Sequence, residues 1–397
     1  MKILHTADWH IGKKLKGIDR IQEYEDVLEE IINIAITESV DCIIISGDIF
    51  DSYTPSTDAE KLFWNIIIKI RKNNIELILL AGNHDSPKKI EAMQPSLEKH
   101  GVQVYARFDD NDLAKNIATI EKNNEKLQIA VIPWINESFL TKNLETFLET
   151  SKQEQGKQYG IILETIYRDI IELLDKDAIH ILATHTLINE ALIQEANQEK
   201  DISERRITLD KVTYGISSSQ LPKQINYIAL GHIHQPQEII HNAPTHYAGS
   251  VLQLSFAERE QEKYVYIADC SINRATNVDR KILQQGIKLK QLESTYQDII
   301  IEGKKYPNHY LKIIITDETP PKDFRSSIES ILPNAIDVRL NNQSIQKIKN
   351  KNINSKQLTE KELYQEYLKK TGASKDLMNK KINLFNELFE KVETNET

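Results

Sequence analysis

The amino-acid sequence predicts an α/β protein whose main domain is a sandwich of sheets flanked by helices. Over residues 1–80, apolar strands alternate with amphipathic helices, which indicates βα repeats around a largely parallel sheet. A second series of the same kind covers residues 128–183. From Tyr227 onward the apolar runs are short and no long helix separates them, so antiparallel strands are expected there. The main domain is predicted to span residues 1–276.

Each element of this domain has its own local signal. The strands are short apolar runs bounded by polar residues, as is typical of buried strands, and they are predicted at residues 3–4, 43–45, 77–80, 128–132, 179–183 and 227–230. Helices with an apolar face are predicted near residues 21–36, 59–71 and 159–174. Asp85 or Ser86 is expected to cap a further helix, with Pro87 in its first turn.

A small α+β module is predicted at residues 277–340, with strands at 310–316 and 336–340 and a helix at 324–331. Residues 341–356 are rich in Asn and Lys and too poor in apolar side chains to fill a core, which predicts a linker. Residues 357–397 carry two apolar runs at helical spacing around Gly372, which predicts a helical hairpin. An isolated hairpin has too little core to be stable, so its apolar face is expected to need a partner.

Composition limits the classes of protein that fit. A chain of 397 residues is too long for one ordinary core, so two or three domains are expected. The net charge of −9 argues against a protein that coats nucleic acid by bulk attraction, although it is compatible with a local basic rim around a metal centre. Cys42 and Cys270 lie in apolar strands and are expected to be buried thiols. Neither a signal peptide nor an apolar run of about 20 residues is found, so a soluble cytoplasmic protein is expected.

Five apolar runs end in residues that bind metals. These sets are Asp8-Trp9-His10, Gly47-Asp48, Gly82-Asn83-His84-Asp85, Thr184-His185 and Gly231-His232-Ile233-His234. Because ligands of open α/β sheets bind outside the carboxyl ends of the strands, the five loops are expected to meet at one point.

The number of ligands predicts two metal ions. The candidate ligands are Asp8, His10, Asp48, Asn83, His185, His232 and His234. One ion needs three or four protein ligands, so this set is large enough for two ions that share a carboxylate, for which Asp48 is the best candidate. Histidine nitrogen suits Mn, Fe or Zn better than Mg or Ca. Two such ions, about 3.5 to 4 Å apart, hydrolyse phosphoesters by in-line displacement.

Asn83 and His84 are neighbours whose side chains are expected to diverge, so only one of them is expected to bind a metal. Asn83 is assigned to the metal. His84 is assigned to the phosphate or the leaving oxygen, where an imidazolium stabilises charge or donates a proton. Asp51 follows Asp48 closely and is predicted to orient His84.

Basic residues follow two of the ligand sets, namely Lys13, Lys14, Lys16, Arg20, Lys88 and Lys89. Beside the metals they would hold a phosphodiester backbone without reading its sequence. A solvated loop explains them equally well, and both interpretations stay open here. A lone histidine is more often a surface or core residue, and six others lack a strand-end setting: His5, His100, His180, His241, His246 and His309.

With these motifs identified, the chain resembles the calcineurin-like metallophosphoesterases. Their pattern is D-x-H, then G-D, then G-N-H-D or G-N-H-E, then H, then G-H-x-H, and all five pieces are present in order. The extended motifs at residues 7–12, 46–51, 82–86 and 231–236 are most similar to the bacterial nuclease subunits of this superfamily that work with a coiled-coil ATPase. Thr184 replaces a frequent glycine, and residues 249–252 lack a frequent proline, but neither departure removes a ligand.

The resemblance implies a four-layer α/β/β/α sandwich and a manganese centre. One ion would be held by Asp8, His10, Asp48 and His234, and the other by Asp48, Asn83, His185 and His232, with His84 as the catalytic histidine. Residues 277–340 would form a capping domain, and residues 357–397 would dock on the coiled coil of the ATPase. The nuclease domains would pair as a homodimer, within a heterotetramer that contains two ATPase subunits. The apolar stripe of Leu62, Phe63 and Ile66 fits either a dimer helix or the core.

The leading hypothesis is a manganese-dependent DNA nuclease with 3′ to 5′ double-strand exonuclease and single-strand endonuclease activity. It would process DNA ends and hairpins in repair, recombination and replication, gated by its ATPase partner. A stand-alone phosphodiesterase for small nucleotides is the second hypothesis, and an unpaired helical hairpin after a linker argues against it. A DNA-end-binding scaffold with purely structural metals is the third, and the complete ligand set with His84 argues against that.

Overall fold

The structure, a computed structural model, describes residues 1–122, 124–135, 139, 151–191, 215–272 and 274–341, together with 364, 368, 380–382, 384 and 385. The chain divides into two compact units. The first consists of residues 1–291, 303–312 and 332–337, and the second of residues 292–302, 313–331 and 338–397. Most of the predicted linker at 341–356 and of the predicted hairpin at 357–397 lies outside the described residues.

The helices and strands follow one another in chain order. The first half contains β1 (Lys2–Thr6), α1 (Ile21–Thr37), β2 (Cys42–Ser46), α2 (Thr57–Lys72), β3 (Glu76–Leu80), α3 (Pro87–Lys99), β4 (Val102–Tyr105), β5 (Ile117–Lys122) and β6 (Glu125–Ile132). Next come α4 (Lys152–Ile171), β7 (Ile179–His185), β8 (Leu187–Ile188), β9 (Gly215–Ile216), β10 (Tyr227–Gly231), β11 (Gln237–Glu238), β12 (Thr245–Tyr247), β13 (Tyr264–Ser271) and β14 (Arg274–Ile282). The last are β15 (Lys288–Ser294), α5 (Tyr296–Gly303), β16 (His309–Ile315), α6 (Phe324–Ile331) and β17 (Ala335–Leu340).

The first six-stranded sheet has the order β14-β13-β1-β2-β3-β4. Strands β1 to β4 are parallel to their neighbours, as the βα repeats predict. Strands β13 and β14 come from a distant part of the chain and extend this sheet with antiparallel pairs. The antiparallel pairing predicted for this later region is therefore confirmed at these two strands.

The second six-stranded sheet has the order β11-β12-β10-β7-β6-β5. Strands β6, β7, β10 and β12 are parallel, and β11 and β5 are antiparallel additions at the two edges. The prediction that all strands after Tyr227 are antiparallel is wrong for β12, which pairs with β10 in parallel. The physical reason is that β11 takes the chain back along the sheet, so β12 starts at the same end as β10.

Alternate residues of each strand face different cores. Ile44 of the first sheet and Ile181 of the second lie in one buried cluster between the sheets. Their neighbours face outward: Ile43 packs with residues of α1 and α2, and Leu182 packs with residues of α4. This alternation follows from the period of two in a strand, and it gives four layers in the order α/β/β/α. The predicted fold class is therefore confirmed.

The apolar stripe of α2 belongs to the core. Leu62, Phe63 and Ile66 are buried in the cluster between the helices and the first sheet, so the alternative of a dimer helix at this stripe is not supported.

Ser56 caps α2 and Ser86 caps α3, each accepting a hydrogen bond from an N–H three residues ahead. Of the two predicted caps of α3, Ser86 is therefore the correct one.

Strands β15, β16 and β17 form a three-stranded sheet in that order. The predicted strand, helix and strand are confirmed as β16, α6 and β17, whereas the sequence does not predict β15 and α5.

Of the predicted hairpin, the structure describes a stacked pair of rings, Tyr364 and Phe385, whose centroids lie 4.5 Å apart. Among the residues that the structure describes, no helix combines the length and the apolar character that a membrane span requires.

Candidate metal centre

The five ligand sets lie at the carboxyl ends of five strands. Three follow β1, β2 and β3 of the first sheet, and two lie at the ends of β7 and β10 of the second. The structure brings the seven predicted ligand side chains and His84 into one cluster, to which both sheets contribute. The sequence prediction that these loops meet is therefore confirmed, while the role of each side chain as a ligand stays a prediction.

Three glycines allow close approaches at the cluster, two between the sheets (Gly231 and Gly47) and one between neighbouring loops of the first sheet (Gly82). A Cβ atom at Gly231 would lie 1.8 Å from the main-chain oxygen of Ser46. A Cβ atom at Gly47 would lie 2.3 Å from Nδ1 of His185, and one at Gly82 would lie 2.2 Å from Oδ1 of Asp48. No side chain fits at such distances, so the glycines of these motifs are needed for close contact between backbone and ligand.

Several candidate ligands have backbone conformations that are rare for residues other than glycine. The φ angles are 49° at Asp8, 47° at His10, 52° at Asp48 and 108° at His232. Strained residues of this kind persist where the surrounding structure fixes them, and they concentrate at functional sites. Here each one turns a side chain from the end of a strand into the cluster.

One part of the cluster contains Asp8, His10, Asp48 and His234. The Nε2 atoms of His10 and His234 are 3.1 Å apart, and Nε2 of His10 lies 3.5 Å from Oδ2 of Asp48. Asp8, His10 and His234 each have a ligand atom within 4.8 Å of the others. This is the composition that the resemblance implies for the first ion.

The other part contains Asp48, Asn83, His185 and His232. Oδ1 of Asn83 lies 3.0 Å from Nε2 of His185 and 2.9 Å from Nδ1 of His232. Nε2 of His185 lies 3.6 Å from Oδ1 of Asp48. Asp48 thus faces both parts of the cluster, as a bridging carboxylate would.

His84 is fixed from two sides. Its main-chain N–H donates to Oδ1 of Asp48 at 2.7 Å, and its Nδ1 lies 3.0 Å from the main-chain oxygen of Asp51. The predicted contact between Asp51 and His84 therefore exists, but through the backbone rather than the carboxylate. The Asp51 carboxylate lies 3.6 Å from Nδ1 of His10 and 3.1 Å from Nζ of Lys13.

Burial favours the neutral form of three imidazoles in the cluster, those of His10, His185 and His232. It lowers the pKa of His10 to about 4 and that of His232 to about 3, and it also lowers the pKa of His185. A neutral imidazole has one unprotonated ring nitrogen, which is the form that binds metals. The donor set of these histidines therefore suits a divalent transition ion.

Asp8 and Asp48 place two buried carboxylates close together in the cluster. Burial and the charge of Asp48 raise the pKa of Asp8 well above its usual value. Burial opposes the ionisation of Asp48, but its contacts with His185 and His10 and the hydrogen bond from the main-chain N–H of His84 together lower its pKa. A divalent cation among these oxygens would remove the repulsion between the two carboxylates. The residues present therefore fit a centre with two divalent ions.

Sequence analysis missed the roles of two residues around the cluster. Asp85, considered there only as a helix cap, is buried, and its carboxylate accepts hydrogen bonds from the N–H groups of Ile49, Phe50 and Gly82. These bonds fix the two loops that carry Asp48 and Asn83, and burial with the charge of Asp48 raises the pKa of Asp85 to about 7. The ring of Trp134 stacks on that of His232, with 5.2 Å between the centroids. Spacing in the sequence gives no signal for either set of contacts.

The predicted DNA-contact residues fall into two groups. Lys14 and Lys88 are exposed, and Lys14 lies 3.7 Å from the equally exposed carboxylate of Asp19. Lys13 pairs with Asp51, Lys16 with Asp337 and Lys89 with Glu60, and these three lysines are less exposed. Arg20 requires a correction. It is 3% exposed, and its guanidinium donates to Glu23 and to the main-chain oxygen of Gln253. A buried guanidinium with these partners does not reach a DNA backbone.

Comparison with protein families defines the class of this chain. A family model described as calcineurin-like phosphoesterase matches residues 1–236, which include all five ligand sets. The chain belongs to the calcineurin-like phosphoesterase family, and it is a metal-dependent phosphoesterase. A second family model, described as type 5 capsule protein repressor C-terminal domain, matches residues 286–371.

Among curated proteins, the chain is similar to several that are named as the D subunit of the nuclease SbcCD. It is 27% identical to the protein from Bacillus subtilis (strain 168) over 290 residues, covering 72% of this chain and 70% of that protein. It is 28% identical to the protein from Staphylococcus saprophyticus over 341 residues, covering 85% of this chain and 84% of that protein. The protein from Staphylococcus epidermidis is 26% identical over 340 residues, with the same coverage of 85% and 84%.

Solved structures give more distant matches. A dimetal phosphatase from Danio rerio is 12% identical with a TM-score of 0.40, and the match covers 70% of this chain and 98% of that one. A hypothetical protein from Thermus thermophilus is 11% identical with a TM-score of 0.40, and the match covers 72% and 100% of the two chains.

Proposed function

We propose that this chain is the nuclease subunit of a complex of the SbcC–SbcD type, a manganese-dependent enzyme that cleaves DNA ends and hairpins. The observation that carries the proposal is the cluster of seven candidate ligand side chains, with Asp48 between its two parts and His84 fixed beside them. Similarity to proteins named as a subunit of the nuclease SbcCD, over as much as 85% of the chain, supports a nuclease subunit rather than an enzyme for small nucleotides. Manganese is proposed because a site with four histidines and few carboxylates suits Mn better than Mg.

The proposed chemistry is the hydrolysis of a phosphodiester. Two divalent ions bound at this centre would lower the pKa of water and neutralise charge on the scissile phosphate. The protein's own contribution is position and proton control. The main-chain oxygen of Asp51 only accepts hydrogen bonds, so Nδ1 of His84 carries its proton and Nε2 is left for the substrate. In the imidazolium form, Nε2–H donates to the phosphate or to the leaving oxygen.

The decisive experiment is cleavage of end-labelled duplex and hairpin DNA by the purified protein with Mn²⁺. The His84→Ala variant is expected to lose at least about 100-fold in cleavage rate, the range for loss of a general acid, while it still binds two Mn²⁺ ions. Equal cleavage by both proteins would contradict the role of His84. Rapid hydrolysis of small nucleotide diesters with no cleavage of DNA would favour the stand-alone phosphodiesterase instead.

The proposed partner is the SbcC ATPase, in a heterotetramer with a homodimer of nuclease subunits. Support comes from the relatives' names and from the apolar character of residues 357–397, where Leu384 is 57% exposed. Deleting residues 357–397 is expected to abolish co-purification with SbcC and to leave Mn²⁺-dependent cleavage by the isolated subunit. The single substitution Leu384→Asp tests the same surface with less damage. SbcC binding that survives both changes would contradict this partner surface.

The proposed domain roles and location complete this assignment. The nuclease domain would comprise residues 1–276 together with the rest of β14, which continues the first sheet to Ile282, so the predicted boundary at 276/277 falls inside a strand. The capping domain would follow up to residue 340, with the linker at 341–356 and the segment that docks on the coiled coil at 357–397. The complex would act in DNA repair, recombination and replication in the cytoplasm. Cys42 and Cys270 are free and buried, which fits a reducing compartment.

A further inference from the structure

Glu258 lies behind one of the candidate ligands, on the side away from the metal centre. It ends a short 3-10 turn, Phe256–Glu258, and its side chain is buried. Its Oε1 atom lies 3.4 Å from Nδ1 of His234. The other ring nitrogen of His234, Nε2, faces Nε2 of His10. The imidazole of His234 therefore connects Glu258 on one edge with the metal centre on the other.

The second oxygen of Glu258 is fully engaged elsewhere. Oε2 lies 2.6 Å from Nζ of Lys263, 3.1 Å from Oγ of Ser250 and 3.2 Å from the main-chain N of Leu254. These contacts fix the plane of the carboxylate and leave Oε1 for His234. A buried ion pair between Glu258 and Lys263 needs only the contact between Oε2 and Nζ. Ion pairing alone therefore does not account for the position of Oε1 beside Nδ1 of His234.

Lys263 and the backbone hold His234 from a third direction. The main-chain oxygen of His234 accepts from Nζ of Lys263 at 2.9 Å and from the main-chain N–H of Ser250 at 3.1 Å. A Cβ atom at Gly249 would lie 2.7 Å from the same oxygen, so glycine is required for this approach. The backbone and the ring of His234 are thus fixed by one buried network centred on Glu258 and Lys263.

We propose that Glu258 is a positioning residue that holds His234 in the tautomer with hydrogen on Nδ1, so that the lone pair of Nε2 faces the metal ion. A carboxylate only accepts hydrogen bonds, and therefore it requires Nδ1–H. Outer carboxylates of this kind fix both the tautomer and the orientation of a metal-binding histidine, and their loss costs about 10- to 100-fold in metal affinity. The inference rests on the proposed metal centre.

The isosteric substitution Glu258→Gln tests this tautomer directly. Lys263 donates only, so it takes the amide oxygen of the new side chain and turns the amide NH₂ toward Nδ1 of His234. Nδ1 must then accept, hydrogen moves to Nε2, and the metal loses its lone pair. In the double variant Glu258→Gln/Lys263→Met, the shorter donor contact to that oxygen is gone and only the longer one from the Leu254 N–H, at 3.2 Å, remains. Oγ of Ser250 can accept from a turned amide, because its own hydrogen can go to the main-chain oxygen of Leu252. The amide is therefore expected to turn round, so that its oxygen again accepts from Nδ1–H. The proposal thus predicts rescue by a second substitution that by itself removes contacts.

The measurement is calorimetric titration of the metal-free full-length protein with Mn²⁺. Wild type is expected to bind two ions, Glu258→Gln to bind one of them about 10- to 100-fold more weakly, and the double variant to recover most of that loss. The matched control is Ser250→Ala, which removes a contact of Oε2 but leaves Oε1 facing His234. It is expected to lower the urea midpoint of the metal-free protein and to leave both Mn²⁺ affinities within about threefold of wild type, a difference of less than 1 kcal/mol.

Three results would overturn the proposal. Glu258→Gln with unchanged Mn²⁺ affinity would show that the carboxylate does not act through His234, and a double variant that binds Mn²⁺ no more tightly than Glu258→Gln would leave Glu258 a structural ion-pair partner only. If Glu258→Gln folds poorly, the double variant, which leaves no buried Lys263 unpaired, still gives the comparison with wild type. Failure of wild type to bind Mn²⁺ would refute the metal centre itself, and this result precedes all the variants.

Discussion

The imidazoles of His10 and His234 meet through their Nε2 atoms at 3.1 Å, although 224 positions separate them in the chain. His10 follows the first strand of one sheet and His234 follows β10 of the other. Two ring nitrogens at this distance are stable when one donates or when a cation lies among them. Asp8 and Asp48 also have oxygen atoms close to this pair, so the two nitrogens and the carboxylates form the donor set that the proposed metal centre requires.

The position of Asp48 between the two parts of the cluster leads to a prediction about metal content. Asp48→Asn is expected to lose both ions, because the carboxylate faces His10 on one side and His185 on the other. Asp8→Asn is the matched control and is expected to lose one, since Asp8 belongs to the set with His10 and His234. The Mn²⁺ that remains after gel filtration measures the outcome. Equal metal loss in the two variants would argue against a bridging role for Asp48.

The contact between Gly231 and Ser46 leads to a prediction about stability. Gly231→Ala places a methyl group 1.8 Å from a main-chain oxygen of the other sheet, so the sheets must separate at the metal centre. Overpacking of this kind costs about 1 to 3 kcal/mol, and Mn²⁺ affinity is expected to fall with it. Gly17→Ala is the comparison for backbone strain alone, because Gly17 has a positive φ but has no atom within 4 Å of an added Cβ, and it is expected to leave Mn²⁺ affinity unchanged. A urea midpoint and a Mn²⁺ affinity of Gly231→Ala equal to those of wild type would show that the close approach does not govern this site.

The different environments of Lys14 and Arg20 lead to a prediction about DNA binding. Lys14→Gln/Lys88→Gln is expected to weaken binding to duplex DNA, with a slope of log K against log salt that is shallower by about one per lost phosphate contact. Arg20→Met is expected instead to lower the melting temperature, because it leaves the buried Glu23 carboxylate without its ion-pair partner. Binding curves at several salt concentrations separate the two effects. An unchanged salt slope in the lysine double variant would return these residues to the solvated-loop interpretation.

The sequence predicts the ligand cluster well because each motif has a local signal. An apolar run marks the strand, and the polar residues that follow must lie at its carboxyl end. The sandwich of sheets can be predicted from the sequence equally well, because the periodicity of apolar residues indicates which residues of a strand are buried. Residues such as Asp8 and His232 can thus be placed near one another from the sequence alone.

Relationships between distant segments carry no such signal. Glu258 follows no predicted strand, and nothing in its neighbourhood indicates that it faces His234. Arg20 follows a lysine-rich loop and resembles a solvent-exposed residue until Gln253 is found to cover it. The parallel direction of β12 depends on where the short edge strand β11 returns, which spacing does not determine. In each case the deciding partner lies outside the local motif.

A buried histidine outside the metal centre predicts how stability depends on pH. His5 lies in the interior, its Nδ1 is 3.0 Å from the Tyr227 hydroxyl, and its ring stacks on Tyr266. Burial, together with nearby His246, lowers the pKa of His5 from 6.5 to about 3. Between these values the unfolded chain binds a proton that the folded protein does not. His5 therefore stabilises the fold fully only above about pH 6.5, and this contribution is lost as the pH falls toward 3.

His5→Phe isolates this contribution, because phenylalanine keeps the stacking but does not titrate. The variant is expected to be less stable than wild type at pH 7.5, where it lacks the hydrogen bond to Tyr227. At pH 5 that deficit is expected to shrink by about 2 kcal/mol, since a proton bound only by the unfolded state contributes about 1.4 kcal/mol for each pH unit below its pKa. Urea unfolding of the metal-free proteins at the two pH values measures the difference, with the exposed His100→Phe as a comparison. A deficit that is the same at pH 7.5 and pH 5 would mean that His5 is protonated in the folded protein as readily as in the unfolded chain.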